Sequence, residues 1–132
     1  MTEPTAHICE IMLHNSVSVM TRQREELSLA EYPLFTHRGV DFCEQAWVRC
    51  GLRQRYNLAG EPSVDDDEVT FEFYHAGHIL GSAGVLIRHK GKSLFYTGDV
   101  NFENQTIMSG ALPEVAKKST RLRYSWRNSL RV

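Results

Sequence analysis

Two short stretches carry side chains whose types and setting suit chemistry. The first is Tyr74-His75-Ala76-Gly77-His78-Ile79-Leu80-Gly81-Ser82, and the second is Tyr96-Thr97-Gly98-Asp99. His78 and Asp99 each sit beside glycine in a turn, where the backbone can bend sharply and bring a side chain close to a ligand. An imidazole and a carboxylate are both metal donors, so the pair is a candidate for metal binding. Each residue also has a plainer use: His78 as a hydrogen-bonded loop histidine, Asp99 as a turn or cap residue. The pairing of two such turns favours the ligand reading. His75 is read as a group that orients ligands or packs the strand end, rather than as a direct ligand.

The elements that must position these turns follow from the hydrophobic pattern. From Val69 the chain alternates: Val69, Phe71 and Phe73 point one way, and Thr70, Glu72 and Tyr74 the other, which predicts a half-buried strand. Ala83, Val85 and Ile87 define a second strand. His89-Lys90-Gly91-Lys92 makes a tight turn with glycine free to take positive φ, and Ser93 to Thr97 returns antiparallel. Such a hairpin delivers both turns to one edge of the sheet.

Upstream, the period is helical. Pro4 suits a first turn and Thr2 or Thr5 a cap, with Ile8, Ile11, Met12 and Val19 recurring on one face of a helix over about 5–21. Pro33 interrupts the next stretch. Thr36 can cap a second helix in which Val40, Cys43, Trp47 and Cys50 share a face, with Gly51 as its stop. Both helices are expected to cover one side of the sheet. His7, His14 and His37 show no paired ligand spacing and are read as surface or capping residues. Residues 57–68 read as a polar linker. Its Asp65-Asp66-Asp67-Glu68 run lacks the alternating ligands and central glycine of a calcium loop, so a solvated turn is expected. Asn101 to Pro113 reads as a loop with a short helical turn between Phe102 and Met108.

The runs His75-Ala76-Gly77-His78-Ile79-Leu80-Gly81-Ser82-Ala83 and Leu94-Phe95-Tyr96-Thr97-Gly98-Asp99 resemble the third and fourth motifs of metallo-β-lactamase-fold nucleases. The likeness is greatest to the β-CASP branch, which includes the mRNA 3′-end cleavage endonuclease and ribonuclease J. The resemblance implies that His78 binds one of two zinc ions, that Asp99 bridges both, and that the substrate is RNA cut at its phosphodiester bonds. It also implies an α/β fold that is part of the αββα sandwich, with two helices followed by a mostly antiparallel three-stranded sheet. That family carries an upstream His-x-His-x-Asp-His motif, and this chain has no such pattern. The likeness runs over roughly residues 2–114. The chain therefore reads as an internal piece of a larger zinc-dependent hydrolase, inactive alone.

Length and composition bound the alternatives. At 132 residues with 42% hydrophobic content the chain suits one domain. No apolar run approaches the ~18–20 residues of a membrane span, and no secretory leader pattern opens the sequence, so a cytoplasmic protein is expected. Cys9, Cys43 and Cys50 form no CxxC pair and are read as reduced core residues. No P-loop, GxGxxG or GxSxG pattern is present, which disfavours nucleotide binding and serine hydrolysis. The net charge of −1 conceals a division. Residues 116–132 hold six basic side chains and no acid, leaving nine basic against sixteen acidic on the remainder, a net −7. This divides a partial metallo-β-lactamase-like domain, 1–115, from a basic tail, 116–132, expected to be poorly ordered. With Tyr124 and Trp126, the tail supports a rival reading as a non-catalytic nucleic-acid-binding module. A truncated product without independent function is a second rival. Oligomeric state is not legible.

Overall fold

The structure, a computed structural model, describes residues 1–111. Residues 112–132, the basic tail from 116 onward among them, lie outside the described residues. Among the described residues two helices precede a four-stranded antiparallel sheet whose strands lie side by side in chain order. The sheet has four strands, not the three expected. The added strand, β1 (Arg55–Asn57), borders what reads as a linker, and three residues are too few to show alternation.

Helix α1 runs Glu3–Leu27, longer at both ends than the expected 5–21. Arg22-Gln23-Arg24-Glu25-Glu26-Leu27 are all good helix formers, so charge did not end the helix; Ser28, in the left-handed conformation, does. Ala6 and Val17 are its buried residues, while Ile11, Met12 and Val19 of the anticipated apolar face are exposed. Helix α2 (His37–Glu44) is capped as expected, Thr36 Oγ1 accepting from the Gly39 amide at 3.1 Å. It ends well before Gly51. The Ala46 and Trp47 amides close i→i−3 bonds to Cys43 and Glu44, and the chain then runs out to pair the Cys50 amide with the Met1 carbonyl at 2.8 Å. The predicted stripe is thereby broken: Val40 and Cys50 are buried, Cys43 is exposed and Cys9 is intermediate, so the cysteines are not all core residues.

Strands β2 (Thr70–His75), β3 (Ala83–His89) and β4 (Lys92–Tyr96) form the anticipated meander, with Phe71 opposite Ile87 and Val85 opposite Tyr96. The two faces are filled differently. Phe71 stacks on Tyr56 of β1 and tilts against Phe73, with ring centroids 5.7 and 5.2 Å apart. On the other face Thr70 is fully buried and accepts from Arg55 Nε at 2.7 Å. There too the Arg88 guanidinium donates to Glu72 at 2.6 Å, and Tyr74 meets Phe95 edge-on. The acidic run is a turn: Asp66 pairs with Arg55 at 2.7 Å, and Asp65 accepts from the Asp67 amide. No helix among the described residues is long and apolar enough to cross a membrane.

Close packing between elements is confined to the helix pair and to the sheet; among the described residues the helices do not blanket a sheet face. The two parts meet instead at the start of α1, where the Thr2 and Thr5 hydroxyls converge on the Gly81 carbonyl at 2.7 and 3.0 Å. Thr2 thus occupies the N-cap position without capping its own helix through its side chain. On β4, Leu94 and Tyr96 are 63% and 68% exposed.

Burial, with the Glu72 hydrogen bond and charge, raises the Tyr74 hydroxyl above its ordinary 10.0. Burial lowers Arg88, but its bonds to Glu72 and Tyr74 outweigh that and keep it charged. A folded value above the unfolded one means that the Tyr74 contribution is intact below about pH 10 and is lost as pH rises further. Thermal melts through that alkaline range should therefore fall less steeply for Tyr74→Phe than for the unaltered chain. Glu72→Ala, which strips the half-buried Arg88 of its carboxylate, should cost about 1–3 kcal/mol in urea unfolding.

Candidate metal-facing site

His78 lies in the turn after β2, and Asp99 in the turn after β4. These strands run in the same direction with β3 between them, so their ends stand two strand spacings apart, about 10 Å. Both turns bend inward across the start of β3. His78 Nε2 comes to 3.9 Å from Asp99 Oδ2, and both side chains open to solvent, 48% and 88% exposed.

Main-chain hydrogen bonds produce this approach. The Asn101 amide, two residues past Asp99, donates to the Ala76 carbonyl, two residues before His78, at 2.9 Å. The Asn101 carbonyl in turn accepts from the Ala111 amide at 2.7 Å, so residues 101–111 close on themselves beneath the His78 turn. Gln105 Nε2 donates to the carbonyls of Gly77 and His78 at 2.7 and 3.0 Å. Within the turn, Ser82 Oγ accepts from the amides of His78 and Ile79, both at 3.2 Å, and the Ala76 amide donates to the Ser82 carbonyl.

Gly77 and Gly81 are demanded by this geometry. Gly77 has φ +68°, and a Cβ there would press on the Asn101 carbonyl and lie 2.5 Å from the Ala111 amide. Gly81 has φ +84°, and its Cβ would fall 2.6 Å from Thr5 Oγ1, where α1 docks. His75 closes β2, its Nε2 hydrogen-bonded to the Ser109 carbonyl at 2.8 Å; that bond makes Nε2 a donor and pins the loop.

His75, His78 and Asp99, which the sequence nominates, all lie at one sheet end. Ser82, Asn101 and Gln105, which it does not nominate, hold the turns in place. Asn101 carries a faint signal, an Asx turn to the Glu103 amide at 3.0 Å. Gln105 carries none, because its partners lie 28 and 27 residues away. The helical turn expected over Phe102–Met108 is absent; bends held by Asn101, Asn104 and the Gln105–Met108 bond take its place. A groove lined by Thr2, Arg49, Cys50, His75 and Leu80 lies beside this region without including His78 or Asp99.

One imidazole and one carboxylate are suitable zinc donors, but a catalytic zinc takes three protein ligands and a water. Among the described residues no group of three or more His, Cys, Asp or Glu side chains is placed to hold a metal ion. The residues present fit one side of a metal centre and do not complete one.

Comparison with known proteins finds relatives over most of the chain. Integrator complex subunit 11 of Danio rerio is 33% identical over 101 residues, 76% of this chain and 15% of that protein. The cleavage and polyadenylation specificity factor subunit 3-II of Arabidopsis thaliana is 26% identical over 111 residues, 84% of the chain and 16% of that protein. An RNase J-like protein of Methanocaldococcus jannaschii is 51% identical over 35 residues, 26% of the chain and 8% of that protein. No family model matches. These relatives, with the glycine turns, place the chain in the metallo-β-lactamase-fold class. Within that class the chain belongs to the β-CASP branch, and it spans about 15% of the length of the Danio rerio relative.

Gly77→Ala combines a disfavoured φ with a backbone clash and should cost about 1–3 kcal/mol, read as a lowered urea midpoint. Gln105→Ala should cost about 1 kcal/mol and raise hydrogen exchange at residues 77–79.

Proposed function

We propose that the chain supplies one side of a zinc-dependent phosphodiesterase centre acting on RNA, with His78 and Asp99 as its metal-facing side chains. The observation that carries the reading is the 3.9 Å approach of His78 Nε2 to Asp99 Oδ2 across an intervening strand. Turns that merely ended strands would not need to reach over β3 to meet. The names of the relatives support RNA as the substrate, being an RNase J-like protein and a cleavage and polyadenylation factor subunit.

Two donors hold zinc weakly, because a ligand set this small neither surrounds the ion nor repays its loss of water. The remaining ligands belong to polypeptide beyond this chain, and the chain alone does not cleave RNA. His75 acts through its bond to Ser109, steadying the loop against which the His78 turn rests. The exposed Leu94 and Tyr96 of β4 fit the same reading, since a sandwich has a second sheet to pack against them.

Calorimetric zinc titration tests this. The chain should bind far more weakly than a complete structural site, for which ~10–16 kcal/mol is typical, and His78→Ala or Asp99→Ala should each abolish the residual binding. Tight binding by the unaltered chain, or binding indifferent to both substitutions, would overturn the proposal.

A further inference from the structure

Two histidines that share no sequence spacing meet across the seam between α1 and α2. His14 Nδ1 and His37 Nδ1 are 2.8 Å apart. Their ring centroids are 5.0 Å apart and the planes differ by 16°. That separation is nearly the nitrogen–nitrogen distance plus one ring radius at each end. The rings therefore lie end to end in almost one plane, with each Nδ1 aimed at the other. On its far side, His14 Nε2 faces Asp41 Oδ1 at 3.3 Å.

This arrangement assigns the protons. A neutral imidazole has one N–H and one bare nitrogen. Asp41 draws the His14 hydrogen to Nε2, which leaves His14 Nδ1 as acceptor and His37 Nδ1 as donor. The chain of bonds runs His37 to His14 to Asp41. A metal ion would require both lone pairs to converge on a third point, whereas these point at each other; the contact suits a shared proton.

We propose that this contact is a proton-sensitive latch holding α2 on α1. A proton added to His37 enters at Nε2, away from the contact, and leaves the bond intact. A further proton on His14 places an N–H on both sides of the gap, which removes the acceptor and sets two cations against each other. Asp41, the facing carboxylate on α2, neutralises only one of them. Glu10, one turn before His14 on α1, is engaged with His7 at 3.9 Å. The latch accordingly tolerates one added proton and opens with two. Because the helix pair and the sheet pack separately, opening frees α2 without loosening β3 and β4.

Hydrogen exchange of the full chain, corrected for intrinsic rates, tests this at about pH 7.5 and about pH 5. Protection of the α2 amides should fall about tenfold on acidification, what the loss of one hydrogen bond accounts for, with the β3 and β4 amides unchanged. In His37→Gln the side-chain amide can turn to donate or accept, so α2 should stay docked at both pH values. Nitrogen-15 spectra of the unaltered chain at neutral pH should show His14 protonated at Nε2 and bare at Nδ1. Unchanged α2 protection, an equal loss in the sheet, an undiminished response in His37→Gln, or a proton on His14 Nδ1 would each overturn the proposal.

Discussion

The amide of Asn101 donating to the carbonyl of Ala76 joins two turns that the sheet alone would leave about 10 Å apart. A main-chain bond of this kind contributes only about 1 kcal/mol net, but leaving those groups unpaired once the loop closes over them would cost more. The requirement propagates. Asn101 is held from its other side by Ala111, and Gln105 fastens the same loop to the carbonyls of Gly77 and His78. Gly77 must lack a side chain because these strands of backbone meet there. The approach of His78 to Asp99 follows from backbone pairing beneath them and does not rest on attraction between two exposed side chains.

The same economy governs the junction with the helices. Thr2 and Thr5 direct their hydroxyls to the Gly81 carbonyl, so the start of α1 is fastened to the turn that carries His78. Beyond that junction the helix pair and the sheet each pack within themselves. Much apolar surface stays open as a result: Ile11 and Phe42 on the helices, Leu94 and Tyr96 on β4. Apolar surface of this extent usually awaits other polypeptide. The relatives are several times longer than the chain, which spans 15–16% of two of them.

An incomplete donor set has a physical meaning of its own. A metal centre assembled from separate segments exists only when those segments are docked, so metal binding and association become linked events. The His78 and Asp99 loops would be ready before docking, since their geometry is set by bonds within residues 75–111. Preordering of that kind lowers the entropy lost on assembly.

The strongly local features were legible in the sequence. Alternation in residues 69–74 and 83–87, and the Lys90-Gly91 turn, prescribed the meander, because period and turn chemistry act over a few residues. The glycine-flanked histidine and aspartate marked, for the same reason, the two turns that the fold brings within 3.9 Å of each other. Other features were decided only in the folded molecule. Helix α2 ends at Glu44 and the chain runs on to pair Cys50 with Met1; β1 pairs with the edge of β2; His14 meets His37 where α1 and α2 pack. The local sequence thus determined which turns bear a histidine and an aspartate. Tertiary structure decided that those side chains would face each other, since partners far apart in the chain leave no periodic trace in either segment.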